Sequence, residues 1–128
     1  MEVFSVDQQA QITIDTKSRK ATITSGEKKY KVQSEHFRNA LAVALSNHGR
    51  WLAIASFPMR PHVVILIANE AGEWEEVFDQ SLSFSDVELQ WNETSAGYPP
   101  EDLRVYYTHA PEKSGRFSPR ERGWKWVK

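Results

Sequence analysis

The chain has no cysteine among its 128 residues. This absence excludes disulfide bonds, cysteine-bound zinc and catalysis by a thiol. The sequence also has no run that approaches the roughly 20 apolar residues of a membrane-spanning helix. Its first residues, MEVFSVDQQ, lack the basic and apolar segments of a secretory signal. We therefore expect a cytoplasmic protein that has no membrane partner.

Sequence motifs that carry enzyme chemistry are missing as well. The six glycines are scattered singly, so no glycine-rich loop precedes a helix, and no Gly-x-Ser-x-Gly pattern marks a serine nucleophile. None of the four histidines has a second histidine at metal-binding spacing. An enzyme would require a cleft that gathers His109 with a carboxylate such as Asp102. These patterns predict a non-enzymatic protein that has no cofactor and no metal site.

Basic residues are missing from one long segment. Between His62 and Leu103 the chain has ten carboxylates and no lysine or arginine. Residues 1–61 carry nine basic against five acidic residues, and residues 103–128 carry seven against two. The formal net charge of -1 therefore conceals a strong internal separation of charge. Such a separation bears on partners and association rates rather than on the fold.

Composition and patterning place the chain among ordinary globular domains. Hydrophobic residues make up 40% and charged residues 26% of the sequence, and this length suits a single core. Alternating polar and apolar residues predict strands at 11–15, 21–24 and 28–33. Uninterrupted apolar runs predict two central strands, buried on both faces, at 51–57 and 63–68. Further strands are predicted at 73–78, 86–91 and 103–108.

One segment between these strands has helical spacing. Ser34 suits an N-cap and Gly49 suits the position after a helix end. The residues that recur at helical intervals are Phe37, Leu41, Ala44, Leu45 and His48. The pattern predicts an amphipathic helix over about residues 35–48. The predicted fold class is α+β, a mainly antiparallel sheet of six to seven strands with this helix packed on one face.

The end of the chain differs in character from the rest. Prolines and glycines interrupt any regular pattern beyond His109, and the charged residues become mostly basic. We therefore predict a single α+β domain over residues 1–110 and a basic, aromatic tail over residues 111–128. Two tryptophans in this tail favour docking on the domain over free disorder.

Two stretches resemble known families. Residues 42–78 (AVALSNHGRWLAIASFPMRPHVVILIANEAGEWEEVF) resemble a single β-propeller blade of the WD40 or TolB kind, in which Gly-Arg-Trp-Leu-Ala enters an apolar strand and Gly-Glu-Trp closes a hairpin. No second copy is visible, so we interpret this likeness as shared hairpin chemistry. Residues 12–91 resemble, in element order and composition, small cytosolic immunity proteins that neutralise bacterial toxins. That resemblance implies an acidic patch that plugs the basic active site of a nuclease toxin.

The acidic segment leads to the predicted function. We predict a bacterial or phage inhibitor or immunity protein that neutralises a basic protein partner, because carboxylates steer such a partner and a tryptophan among them can anchor it. The predicted partner-binding residues are Glu70, Glu73, Trp74, Glu75, Glu76 and Asp79.

The alternative function is a nucleic-acid-binding module. It would use the basic face of the N-terminal strands together with the C-terminal tail, because cations neutralise phosphates and aromatic rings stack on bases. The tail residues for this role are Arg116, Phe117, Arg120, Arg122, Trp124 and Trp126. Docking of the tryptophans on the domain remains the competing interpretation of the tail.

Overall fold

The computed structural model describes residues 1–57, 59–93 and 99–127, apart from the side chain of Val127. Over these residues the chain forms three four-stranded antiparallel sheets, each a meander in chain order. The N-terminal sheet contains β1 (Glu2–Phe4), β2 (Ala10–Asp15), β3 (Lys20–Ser25) and β4 (Lys28–Gln33). The middle sheet contains β5 (Ala40–Leu45), β6 (Trp51–Ser56), β7 (His62–Ala68) and β8 (Trp74–Ser81). The C-terminal sheet contains β9 (Val87–Asn92), β10 (Asp102–Tyr107), β11 (Ala110–Ser118) and β12 (Gly123–Val127).

Alternation builds the N-terminal sheet as predicted. Ile12 lies opposite Ile23, and Ile14 lies opposite Ala21, so one face of the hairpin is apolar. Val32 of β4 extends this face, and all five side chains are buried. The predicted strands at 11–15, 21–24 and 28–33 are therefore confirmed.

The middle sheet is buried on both faces, as its unbroken apolar runs predict. The side chains packed toward the N-terminal sheet are Leu45, Leu52, Ile54, Val64 and Leu66. The side chains packed toward the C-terminal sheet are Ala44, Trp51, Ala53, Val63 and Ile65. The three sheets therefore stack face to face around two apolar layers. The first strand of the middle sheet, β5, contacts both β1 and β9, which is the arrangement of successive propeller blades.

The predicted α+β class and its helix over residues 35–48 are wrong. Glu35–Asn39 form a short 3₁₀ helix, and the next six residues form β5, which pairs with β6. Both faces of β5 are covered, so apolar residues follow one another without alternation, and such a run also fits helical spacing. Leu41, at the irregularity in β5, is 40% exposed instead of facing a core.

The C-terminal residues complete the third sheet. The sequence-based division places a boundary after residue 110, and this position lies inside β11, which pairs with β10. The Trp124 ring lies over Gly115, where a Cβ atom would be 1.9 Å from the ring. Trp124 also stacks on Phe78 of the middle sheet, with ring centroids 6.2 Å apart. Glycine at position 115 therefore makes room for a ring that joins two sheets.

The two outer faces of the stack are polar. On the N-terminal sheet the outward side chains include Thr13, Thr22 and Lys31, all exposed. On the C-terminal sheet Tyr106 donates a hydrogen bond to Glu88, and Arg116 lies 3.8 Å from Asp102. Among the described residues there is also no helix of the length and hydropathy that a membrane span requires.

Candidate functional site

Three of the four histidines lie along one edge of the stack, which we call the upper edge. It is formed by the turns at 16–19, 34–39, 59–61, 82–86 and 108–109. Each of these histidines has a carboxylate within hydrogen-bond distance. The pairs are His36–Glu76, His62–Asp79 and His109–Asp86. The fold thus gathers residues that are up to 40 positions apart in the sequence.

His62 is held at the start of β7. Its direct cross-strand neighbours are Ser56 on β6 and Ser81 on β8. The ring atom Nδ1 lies 3.0 Å from Oδ1 of Asp79, and the side chain is 14% exposed. Among the groups that the structure describes, the buried Nε2 atom of His62 has no hydrogen-bond partner. This arrangement fixes one ring nitrogen and leaves the other available.

His36 reaches the same place from the 3₁₀ helix. Ser34 caps this helix, because its Oγ accepts a hydrogen bond from the His36 backbone N–H at 3.2 Å. The His36 Nε2 atom lies 2.9 Å from Oε1 of Glu76. The rings of His36 and His62 meet edge to face, with centroids 5.2 Å apart. The two histidine–carboxylate pairs are therefore one cluster.

Arginines border this cluster on both sides. One cleft of about 240 Å³ is lined by Arg19, Glu35, His36, Arg38, Asn39 and Ser56. A second opening of about 670 Å³ is lined by Met59, Arg60, His62, Asp79 and Ser81. The two histidine rings, one lining each opening, are in contact with each other, and we call the two openings together the histidine cleft. Its arginines suit an anionic ligand.

The third pair, His109–Asp86, has a different environment at the edge of the C-terminal sheet. The Asp86 carboxylate accepts hydrogen bonds from the His109 backbone N–H and from the Thr108 hydroxyl, each at 2.9 Å. It also contacts Nδ1 of His109, and this bond, with the others, lowers the pKa of Asp86 to about 2. Phe84 packs against the His109 ring with centroids 4.6 Å apart. This pair closes a turn and is surrounded by aromatic rings.

The described residues include no group of three or more histidine and acidic side chains placed to hold a metal ion. The carboxylate partner predicted for His109, Asp102, instead contacts Asn92 and Arg116 on the outer face of the C-terminal sheet.

The predicted acidic patch is divided between two environments. Glu75, Glu76 and Asp79 are all exposed on β8, and two of them, Glu76 and Asp79, pair with the histidines of the cleft. The other two carboxylates, Glu70 and Glu73, are exposed at the turn before β8. Trp74 is half-buried against the core between the N-terminal and middle sheets. The structure thus brings two of the six predicted residues together, and the patch and its basic protein partner stay predictions.

The residues of the alternative nucleic-acid surface are dispersed as well. Phe117 is fully buried, and Trp124 is packed on Phe78, so their faces do not lie open to bases. The other four residues, Arg116, Arg120, Arg122 and Trp126, are exposed. The tail thus contributes packing to the core and one exposed indole. This indole is that of Trp126, on the last strand, which is 52% exposed.

Sequence reasoning did not identify the histidine cleft. The reason is that the pairs form through strand register, and register is a tertiary property. A signal was present in two places: His62 stands at the first position of an apolar run, and Ser34 marks an N-cap two residues before His36.

No protein-family profile matches the sequence, and no curated protein sequence matches it. Solved structures do resemble it. A candidate 6-phosphogluconolactonase from Bacteroides uniformis gives a TM-score of 0.59 at 15% identity. The match covers 98% of this chain and 38% of the lactonase chain. Hsv2 from K. marxianus gives 0.63 at 14% identity, with 97% and 42% covered. A second candidate 6-phosphogluconolactonase, from Bacteroides fragilis, gives 0.58 at 15% identity, with 100% and 37% covered.

These likenesses show a shared propeller-type fold. The chain spans about two fifths of the length of each neighbour. The resemblance to immunity proteins is therefore wrong, and so are the predicted toxin-neutralising function and its nucleic-acid-binding alternative. The expectation of a non-enzymatic protein is contradicted by the two lactonase-type neighbours. The likeness of residues 42–78 to one propeller blade is compatible with the middle sheet, β5 to β8.

Proposed function

We propose that this chain carries the active site of a hydrolase that opens a small anionic lactone or ester, with a phosphorylated sugar lactone as the first substrate to test. The observation that carries the proposal is the state of His62. Asp79 holds its Nδ1 atom, and its Nε2 atom is unpartnered within the described structure. Two lactonase-type proteins among the structural neighbours support the choice of reaction.

His62 has the role of general base in this proposal. With Nδ1–H donating to the Asp79 carboxylate, the lone pair of the neutral ring lies on Nε2. Nε2 removes the proton from the attacking hydroxyl group as that group adds to the lactone carbonyl. It then returns the proton to the ring oxygen that leaves. Positioned acid–base groups of this kind contribute about 100- to 10,000-fold to a rate.

The arginines supply substrate binding. Arg38 and Arg60 are exposed on opposite sides of the histidine pair, in the two parts of the cleft. A guanidinium group binds phosphate or carboxylate through two parallel hydrogen bonds. Arg19 is partly engaged by Glu35, whose Oε1 atom is 4.0 Å from the guanidinium. The substrate class is therefore a small anion with an electrophilic carbonyl.

A phosphorylated substrate also bears on location. Doubly charged phosphate esters do not cross a bilayer unaided, because burying a charge in hydrocarbon is costly. The proposed activity accordingly belongs in the cytoplasm.

The test is hydrolysis of 6-phosphoglucono-lactone above the buffer rate, with the matched variants His62→Gln and His109→Gln. We expect the wild type to hydrolyse it, His62→Gln to lose at least about 100-fold in kcat, and His109→Gln to stay within about twofold because its pair closes a turn. A wild-type rate equal to buffer, or an unaffected His62→Gln, would contradict the proposal.

The substrate's charge is tested with the unphosphorylated lactone. Arg60→Gln should raise KM for the phosphorylated lactone and leave KM for the unphosphorylated one unchanged. Arg116→Gln, on the outer face of the C-terminal sheet, is the matched control and should change neither. Equal effects of both variants would assign the phosphate preference elsewhere.

A further inference from the structure

Two buried polar atoms beside each other in the fold lack hydrogen-bond partners in the described structure. They are Oγ of Ser56 and Nε2 of His62. Ser56 is only 1% exposed, yet it is one of the residues that line the smaller part of the histidine cleft. Buried polar groups are nearly always paired, and unpaired ones in a native protein call for an explanation.

Strand register places these two groups next to one another. Ser56 on β6 and His62 on β7 are direct cross-strand partners, and such pairs have Cβ atoms about 4.5–5.5 Å apart on one face of a sheet. Asp79 lies on β8, the next strand, and engages the Nδ1 side of the same ring. Serine, histidine and aspartate therefore follow one another across three adjacent strands.

We infer that Ser56 is the nucleophile of this site, with His62 as its base and Asp79 as the residue that orients the base. This inference rests on the proposed hydrolase function and identifies the attacking hydroxyl group. The inference requires Ser56 Oγ to come within hydrogen-bond distance of Nε2, and we propose rotation about χ1 of Ser56 as that movement. The three roles match those of a serine, histidine and aspartate triad, which is defined by geometry and not by chain order.

The reaction balances within the site. Ser56 Oγ forms a bond to the lactone carbonyl carbon as its proton moves to Nε2 of His62. The ring C–O bond then breaks, and the alkoxide takes that proton, which leaves an ester on Ser56. Water attacks this ester with His62 again as base, so that the hydroxy acid leaves and Ser56 regains its proton.

The cleft also offers groups for the charge that develops on the carbonyl oxygen. The backbone N–H of Phe57, next to Ser56, donates to the carbonyl of Asn39 at 3.2 Å and is not available. The side chains of Arg38 and Asn39 line the cleft beside Ser56 and carry N–H donors. Stabilisation of the oxyanion thus falls to side chains.

Other serines near the site are committed or wrongly placed. Ser34 accepts the hydrogen bond that caps the 3₁₀ helix. Ser81 is the second cross-strand partner of His62, but it is exposed and lies on β8, the strand that carries Asp79. Ser114 is also buried but lies on β11 of the C-terminal sheet, away from the cleft, and is therefore the matched control for Ser56.

The test is covalent labelling with a fluorophosphonate, located by peptide mass spectrometry. We expect one adduct on Ser56 of the wild type, no adduct in Ser56→Ala, at least a tenfold slower reaction in His62→Gln, and an unchanged rate in Ser114→Ala. No adduct on Ser56, or equal labelling in His62→Gln, would overturn the inference. The wild-type measurement does not depend on the folding of any variant, and circular dichroism checks that Ser56→Ala is folded.

Failure of the inference and failure of the proposed function give different results. If the wild type hydrolyses the lactone and folded Ser56→Ala retains the full rate, water is the direct nucleophile and the inference is wrong while the function stands. If His62-dependent labelling of Ser56 occurs without lactone hydrolysis, the nucleophile is supported and the substrate class is wrong.

Discussion

The two ends of the upper edge pair histidine with a carboxylate in contrasting ways. In the histidine cleft the His62 side chain is 14% exposed, and in the C-terminal sheet the His109 side chain is 46% exposed. Asp86 receives hydrogen bonds from two backbone or hydroxyl donors in addition to its histidine. Among the hydrogen bonds of the described residues, the Asp79 carboxylate takes part in one, the bond with His62.

This difference separates a reactive pair from a structural one. The carboxylate of Asp86 is saturated by a turn, so its histidine serves to close that turn. The carboxylate of Asp79 orients a ring whose second nitrogen is buried without a partner among the described groups, in a residue that lines an opening together with Arg60. A histidine–carboxylate contact is thus available for catalysis only where the far nitrogen has no other partner.

The largest expected effect is on turnover. Asp79→Asn should lower kcat for the phosphorylated lactone by about 100- to 10,000-fold, because the amide no longer selects the ring tautomer with a free Nε2 lone pair. Asp86→Asn should leave kcat within about twofold. Steady-state kinetics on both variants measure the contrast, and a similar loss in both would remove the distinction between the two pairs.

The second effect concerns the packing beneath each pair. Phe37 is fully buried below the histidine cleft. The change Phe37→Ala should therefore lower the free energy of unfolding by about 3–5 kcal/mol. Phe84 is 43% exposed beside His109. The change Phe84→Ala should lower the free energy of unfolding by about 1 kcal/mol, because only part of the side chain is buried on folding. Urea denaturation of both variants measures the difference. Equal losses of unfolding free energy would contradict the expected difference in packing between Phe37 and Phe84.

The third effect tests the C-terminal side alone. Gly115→Ala should cost about 1–3 kcal/mol, because its Cβ atom overlaps the Trp124 ring and the ring must move. Gly123→Ala, where the nearest atom is 3.9 Å from the new Cβ, should change stability by at most about 0.5 kcal/mol. Thermal unfolding with tryptophan fluorescence reports both, and an unshifted emission spectrum in Gly115→Ala would contradict this packing.

The smallest effect is the pH dependence of the turn at Asp86. The folded pKa of about 2 is below the ordinary value of 3.8, so the charged carboxylate stabilises the fold at higher pH and this contribution disappears as the pH falls toward 2. The Tm difference between wild type and Asp86→Asn should be constant above pH ~4.5 and should vanish near pH ~2. A difference that grows on acidification would contradict this sign.

Much of the strand pattern could be predicted from the sequence. Residues 51–57 and 63–68 are apolar without alternation, and the structure confirms them as strands covered on both faces. The same property misled the prediction for residues 35–48, because β5 is also covered on both faces and its consecutive apolar residues fit a helix. Whether such a run forms a helix or a strand is decided by the neighbouring strand, which local sequence does not contain.

The site could be predicted less well than the strands. Glu76 and Asp79 were identified as part of an acidic patch, but their histidine partners lie on other elements at separations of 40 and 17 residues. No sequence motif surrounds Ser56. Its position beside His62 follows from the pairing of β6 with β7. A bulge or a one-residue slip would turn these side chains to the opposite face, so no local pattern announces them.

The central claim is that the histidine cleft binds a small anion at His36 and His62. The most direct measurement is a titration of the four histidine ring signals by NMR with 6-phosphogluconate, the hydroxy acid that the proposed reaction releases. We expect saturable shifts for His36 and His62 and none for His109. Shifts confined to His109, or no saturable shift at His62, would contradict it.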